Sequence, residues 1–397
     1  MAIDFPIVLD VPRRNRMGFT ILELLVAMAV MALLMVVIGG MFSAVSKSWK
    51  SSTGRAASFA AARAAFEAMS RNLSQATLAT YLSYADSSGN PVPLINPSFK
   101  PSSGNVTRSS VPTQYLRMSE LHFLTDNAAK LFAATSNSTT GNSTATTGQA
   151  VFFQAPTGFV QLQDNRPKSS LLNVLGYYIE FGTDDTFKPG AVSKLVPTRS
   201  RYRLMEVAQP AERNGIYEST CELDSSTGLA KYVYDLDWLK KLILIAPTAF
   251  TPLEKQPLAE NIITMAFLPR LSPAQSTNPA ELTSDYSYDS RVWEVTGSSG
   301  DSRLRNQLPP LIELIVVAID EPSAQKLAQL YGGADGSSPP FADGSVRSKV
   351  DLDTLFKDPT KLEADILTLE DGLNKLKVSY RIFRTTVAMH GAKWTDR

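Results

Sequence analysis

Arg13-Arg14-Asn15-Arg16-Met17-Gly18-Phe19-Thr20-Ile21-Leu22-Glu23-Leu24-Leu25-Val26 opens an apolar run that continues to Phe42 as AMAVMALLMVVIGGMF. As an α-helix, Phe19 to Phe42 would be about 36 Å long at 1.5 Å per residue, enough for a bilayer core of about 30 Å. The 23 residues between Glu23 and Lys47 carry no charge. The three arginines ahead of the run predict, by the positive-inside rule, a cytoplasmic amino terminus and export of everything beyond Lys47. On hydropathy alone this is a signal anchor or a cleaved secretory signal. Two features depart from that reading. A small residue, Gly18, stands before the apolar run rather than after it, and an acid, Glu23, lies inside it. A carboxylate near the end of a membrane helix costs about 2 to 3 kcal/mol unless a cation partners it, so Glu23 is a candidate functional residue.

The chain has 397 residues, 44% of them hydrophobic and 19% charged, sufficient for one large domain or two ordinary ones. With 39 basic against 38 acidic side chains, the net charge of +1 argues against a nucleic-acid partner bound through a general basic surface. A single cysteine, Cys221, cannot close an intrachain disulfide or build a zinc or iron-sulfur site by itself. His122 and His390 lie far apart in sequence and lack carboxylate or cysteine partners at ligand spacing, which disfavours zinc hydrolases and histidine-relay enzymes.

The boundary at Arg-x-Met-Gly18, followed by Phe19-Thr20-Ile21-Leu22-Glu23-Leu24-Leu25-Val26, resembles the class III leader of type IV prepilins and type II secretion pseudopilins. The resemblance implies cleavage by a prepilin peptidase between Gly18 and Phe19, N-methylation of Phe19, and pairing of the Glu23 carboxylate with the terminal amine of a neighbouring subunit. It further implies no catalysis and no cofactor. The implied partners are the peptidase, other pilin or pseudopilin subunits, an inner-membrane assembly platform, and membrane lipid before assembly. The physics is consistent: an ammonium a few ångströms away makes a carboxylate tolerable in a low-dielectric bundle, and removing either partner strands the other. Loss of residues 1–18 leaves 36 bases and 36 acids. One departure from the family pattern is Gly40, preceded by Gly39, where many major pilins carry proline; each glycine weakens a helix by about 1 kcal/mol relative to alanine.

Beyond the apolar run, Phe59, Ala62, Phe66, Met69, Leu73 and Ala76 recur at alternating spacings of three and four, one apolar stripe of a helix. Arg55, Arg63, Glu67 and Arg71 fall off the stripe, and Glu67 precedes Arg71 by four residues, the favourable order for a helix ion pair. The stripe predicts packing on the chain's own globular domain, with Phe59, Phe66, Met69 and Leu73 as stem-packing residues. Lys47, Trp49 and Lys50 read as interface anchors, and Ser51, Ser52 and Gly54 as a hinge. The segment RAAFEAMSRNLSQA, together with LPPLIELIVVAIDEPSAQKLAQLYG at 308–332 and LKVSYRIFRTTVAMHGAKW at 376–394, resembles J-type minor pseudopilins and, within that group, the Verru/Chthon cassette protein C family.

The expected architecture is α+β: a long membrane-spanning stem helix packed on a large antiparallel β-rich domain. Its expected segments are a leader at 1–18, a transmembrane stem half at 19–42, an outer stem half at 43–84, a low-complexity loop region at 85–150, and a β-rich domain at 151–397 with inserts at 270–307 and 333–370. Strands are predicted at QAVFFQA, GFVQLQD, LGYYIEFG, SRYRLMEVA, KLILIAP, NIITMAFLP, RVWEV and LIELIVVAI. The alternation in SRYRLMEVA predicts a sheet face left to solvent, turned away from the stem. Asp184-Asp185, Asp235/Asp237 and Asp351/Asp353 lack a calcium-loop pattern and read as solvated turns, and no glycine cluster has the lysine of a phosphate loop. The functional expectation is a non-catalytic minor subunit of a secretion or pilus-like filament, at or near its tip, held first in the bacterial inner membrane with its large domain in the periplasm. The alternative is a signal-anchored periplasmic binding or adhesin protein outside any filament, and a tip subunit could itself bind a surface through 85–150 and 270–307.

Overall fold

The computed structural model describes residues 20–85, 113–135, 145–161, 170–184, 187–188, 195, 198–216, 222–223, 230–231, 238–239, 255–291, 304–333 and 338–394. Helix α1 runs from Ile21 to Ser74. Contacts divide the chain into two units between Thr53 and Gly54, and α1 continues as helix through Ser51–Gly54. The second unit is an α+β domain of antiparallel sheets. In chain order its strands are β1 (Tyr81–Ala85), β2 (Gln114–Met118), β3 (Leu124–Asn127), β4 (Ala145–Ala155), β5 (Asn173–Thr183), β6 (Ser200–Gln209), β7 (Glu222–Leu223), β8 (Ala230–Lys231), β9 (Lys255–Glu260), β10 (Ile262–Arg270), β11 (Tyr288–Asp289), β12 (Leu311–Ile319) and β13 (Tyr380–Ala388). The helices are α2 (Ala128–Thr135), α3 (Glu321–Tyr331), the single turn α4 (Gly344–Arg347) and α5 (Leu362–Lys375).

A six-stranded sheet has the order β11-β3-β4-β5-β6-β9, and a three-stranded sheet the order β10-β12-β13; β1-β2 and β7-β8 form separate pairs. Between β9 of the larger sheet and β10 of the smaller the chain crosses at a single residue, Asn261, whose φ is 63°. Asparagine tolerates this left-handed conformation better than most residues. The two sheets are stitched where β4 bulges, between Thr147 and Val151. There Thr147 Oγ1 donates to the Ile263 carbonyl at 2.8 Å, and Phe267 N donates to Gln149 Oε1 at 2.6 Å. Gly148, at φ +68°, lets β4 approach the Met265 backbone, where a Cβ would come within 2.8 Å of the carbonyl oxygen.

The outer part of α1 packs on both sheets. Ala62, Ala65, Phe66, Met69, Leu73 and Ala76 are buried, and Phe59 packs half-buried against them. Phe66 meets Phe383 of β13 with centroids 5.7 Å apart, and the Arg381 guanidinium lies 5.2 Å over the Phe59 ring. On the larger sheet, Asn72 Nδ2 donates to the Tyr177 hydroxyl at 2.8 Å, which donates in turn to Glu206 Oε1 at 2.7 Å. Burial and the Glu206 carboxylate together raise the Tyr177 pKa far above its ordinary value, so the hydroxyl keeps its proton. Near the inner end of this packed stretch, Arg55 Nε reaches Asp320 Oδ2 at 2.9 Å, and the other oxygen of that buried carboxylate caps α3 by accepting from Ser323 N at 2.9 Å.

Several expectations change in the folded chain. The stem helix ends at Ser74 rather than reaching 84: His390 N takes the Ser74 carbonyl at 3.0 Å, and Thr77 N turns to the Gln154 carbonyl at 2.9 Å. Glu67 pairs with Arg63 at 2.8 Å rather than with Arg71, the partner that the spacing favoured. The region 85–150 is not wholly loop, since it holds β2, β3, α2 and the start of β4, with Leu121, Phe123, Leu124 and Leu131 buried; its Ser/Thr/Asn content obscures these apolar residues. Insert 333–370 is likewise part of the core through Phe341, Val346, Leu352, Phe356 and Leu369. GFVQLQD is not a strand over its described residues 158–161, whereas KLILIAP and most of RVWEV lie outside the described residues.

No face of β6 is left bare. Tyr177 on β5 faces α1 while its neighbour Tyr178 meets Phe132 of α2 at 4.8 Å, so alternation puts a helix on each side of the larger sheet. Arg203, almost fully buried, satisfies its guanidinium with the carbonyls of Gly182 and Thr183 at 2.8 and 2.9 Å, and Arg201 donates to Glu321 at 2.6 Å. The arginines that read as solvent-facing are therefore clamps for neighbouring segments.

Gly176 of β5 tests this close packing, because a Cβ there would lie 2.4 Å from the buried Phe152 ring. Gly176→Ala is expected to destabilise the domain by about 1 to 3 kcal/mol through overpacking. Gly182→Ala, with nothing within 4 Å of the added carbon, should stay within about 0.5 kcal/mol. Denaturant unfolding of the full chain in micelles checks both.

Candidate functional site

The candidate site is the amino-terminal part of α1. Its first turn is built by a reciprocal cap. Glu23 N donates to Thr20 Oγ1 at 3.2 Å, while Thr20 N and Thr20 Oγ1 both donate to Glu23 Oε2 at 3.1 Å. This is the Thr-x-x-Glu capping box, in which residues three apart satisfy two of the backbone donors that a helix start leaves unpaired. A carboxylate in the first turn also opposes the positive end of the helix dipole. Glu23 thus has a local role in addition to the one expected from sequence, and Thr20, its partner, did not emerge as a site residue. The signal was available as Ser/Thr-x-x-Glu before an apolar run.

Apart from Glu23, the stretch from Ile21 to Phe42 presents exposed apolar side chains: Ile21 is 83% exposed, Leu33 67% and Phe42 75%. An 18-residue window has mean hydropathy 2.9, and none of it is buried within the chain. A monomeric soluble protein rarely leaves so continuous an apolar surface bare. Among the described residues this is the one helix long and apolar enough to cross a membrane. Trp49, also exposed, follows it at the position expected of an interface anchor.

Of the residues singled out by sequence, Arg13, Arg14, Arg16, Gly18 and Phe19 lie outside the described residues. Glu23 is exposed on the first turn of α1. Phe59, Phe66, Met69 and Leu73 lie on the outer stretch of the same helix, in the second unit, where Met69 and Leu73 have no exposed surface. Among the described residues no group of three or more His, Cys, Asp and Glu is placed to hold a metal ion. Asp184 is occupied by Lys188 at 2.9 Å and by Arg199 N at 2.9 Å, and Asp351 and Asp353 share Arg347. Asp185, Asp235, Asp237 and Cys221 lie outside the described residues. What the described residues present here is a capped apolar helix with one carboxylate at its start.

Thr20→Ala removes the hydroxyl that links cap and carboxylate, at a cost of about 1 kcal/mol to the first turn. Hydrogen exchange at Glu23 N in the full chain is expected to accelerate about fivefold, with exchange in the β-rich unit unchanged.

Residues 13–39 match the family described as the prokaryotic N-terminal methylation motif. Neither the curated proteins nor the solved structures contain a match to the chain. The matched stretch contains Gly18, Phe19 and Glu23 and covers the capped first turn, which supports a pilin-type substrate of a prepilin peptidase with a single helix suited to membrane anchoring.

Proposed function

We propose that this chain is a non-catalytic minor pilin or pseudopilin: a membrane precursor cut between Gly18 and Phe19, methylated at Phe19, and drawn into a type II secretion or pilus-like filament by its apolar helix. The observation that carries the reading is Glu23, a carboxylate at the start of an apolar helical stretch with no other charge before Lys47 and within the matched motif. In a membrane or a helical bundle such a group needs a cation. The amine created by a cut after Gly18 would supply one, from a neighbouring subunit, and would set the axial register between helices.

Arg13, Arg14 and Arg16 support a cytoplasmic leader and a periplasmic β-rich unit. Removal of this cationic segment leaves the helix free to leave the lipid for a bundle of similar helices, on an inner-membrane platform shared with other subunits. The second unit runs from Gly54 to Arg397. So large a head is easier to accommodate at a filament tip than in a shaft of closely stacked copies, and the resemblance of the segments that hold β12 and β13 to J-type minor pseudopilins supports a minor subunit. The engagement of Asp184 by Lys188 and the Arg199 amide, and of Asp351 and Asp353 by Arg347, is in keeping with an assembly role.

Intact-mass measurement of the membrane-extracted protein, produced with and without a prepilin peptidase, tests the route. The expected result is loss of residues 1–18 and gain of one methyl group only when the peptidase is present. A chain left uncut, or cut after Phe42, would place the protein among ordinary anchored or secreted proteins. Glu23→Leu is expected to be processed normally yet to enter filaments at least tenfold less, since losing one partner of a buried ion pair costs about 3 kcal/mol or more. Undiminished incorporation would remove the carboxylate from the mechanism.

A further inference from the structure

His122, only 2% exposed, sits just before β3 and is held from three directions. Its backbone N–H donates to Gln154 Oε1 of β4 at 2.8 Å. Its ring Nε2 lies 2.7 Å from Asp289 Oδ1 of β11. Its Nδ1 lies 3.2 Å from Trp238 Nε1, with the two rings 65° apart in an edge contact. The indole N–H can only donate, so Nδ1 must offer its lone pair. The proton of the neutral ring is therefore on Nε2, where it is given to the Asp289 carboxylate. This assignment follows from the partners' chemistry.

In the neutral form all three groups are satisfied. The imidazolium cannot satisfy them, because it carries a proton on each nitrogen and its Nδ1–H would face the indole N–H, donor against donor. Trp238 is itself buried, only 2% exposed, and its indole N–H donates to His122 Nδ1. We propose that protonation of His122 acts as a switch that drives the Trp238 indole out of its buried seat while the Asp289 contact is retained and strengthened.

The charged groups facing His122 set where the switch operates. Asp289, on β11, favours the imidazolium; Arg291, which follows β11 and donates to the Glu120 carbonyl, opposes it. Gln154 from β4 and the indole bring no charge. Burial, the largest influence, also opposes the charge, and the balance holds the His122 pKa below its ordinary value. At this site the unfolded chain therefore binds more protons than the folded one as pH falls from about 6.5 toward the lowered folded pKa. The contribution of neutral His122 is complete above that pH and declines as acid is added. Asp289, partly open to solvent, offers the proton a path inward.

The protein contains two histidines and four tryptophans, so nuclear magnetic resonance of the full chain in micelles, ¹⁵N-labelled in both, resolves every ring. His390→Gln and Trp238→Phe assign the signals. At pH 7.5, His122 is expected to show an unprotonated Nδ1 and a protonated Nε2. On acidification it should titrate with a midpoint below about 6.5, and the Trp238 indole signal should shift with the same midpoint while the other three indoles stay in place. His122→Gln, which cannot titrate, should abolish the step at Trp238; if that variant does not fold, the wild-type titration alone decides. An indole signal indifferent to His122 protonation would overturn the proposal. So would a His122 that stays neutral until all four indole signals collapse together on unfolding.

Discussion

The burial of one stripe of α1, through Phe66, Met69 and Leu73, is the contact on which the rest of the second unit depends. Full burial of each such side chain contributes about 1.5 to 3 kcal/mol, and the polar contacts around the stripe fix its position. Arg55 reaches the buried Asp320, Asn72 reaches Tyr177, and the Ser74 carbonyl accepts from His390 N. These partners come from a helix cap, a central strand and the C-terminal segment, so one helix face gathers residues from across the domain. Two strands of different sheets meet the same helix: β5 of the larger through Tyr177, and β13 of the smaller through Phe383.

The first part of α1 is the chemical opposite, with apolar side chains that no described residue of the chain covers. In the proposed function a lipid core or a bundle of like helices would supply that cover. What differs between those two environments is the tolerance for Glu23. In the described chain its carboxylate is engaged by Thr20, an arrangement that satisfies a helix start and leaves the group close to the end where an incoming amine would arrive. The capping role and the proposed assembly role draw on the same oxygen atoms, so cap and intersubunit pair compete or combine at one carboxylate.

How far the sequence could be read depended on how local the governing interaction was. The apolar run from Ile21, the Glu23 acid and the stripe Phe59 to Leu73 depend on spacing along a single helix, and the strands QAVFFQA, LGYYIEFG, NIITMAFLP and LIELIVVAI on runs of a few β-branched and aromatic residues. The buried arginines of β6 could not be read that way. Arg203 looks like a solvent-facing residue until the turn carbonyls of Gly182 and Thr183 close around it. The same holds for His122, whose sequence neighbourhood has no useful partner and whose ring is completed by Trp238 and Asp289 from far along the chain.

The sequence by itself determined the two-part character of this protein: an uncharged helix long enough to cross a bilayer, a carboxylate at its start, an amphipathic continuation, and a strand-rich remainder. These follow from composition and period, which are properties of consecutive residues. Only the tertiary structure decided where α1 ends, that Asn261 passes the chain from one sheet to the other, that both faces of the larger sheet are covered, and that residues 333–370 complete the core. Each of those depends on atoms brought together across long stretches of chain, where the identity of a partner is set by packing and by the need to satisfy every buried donor and acceptor.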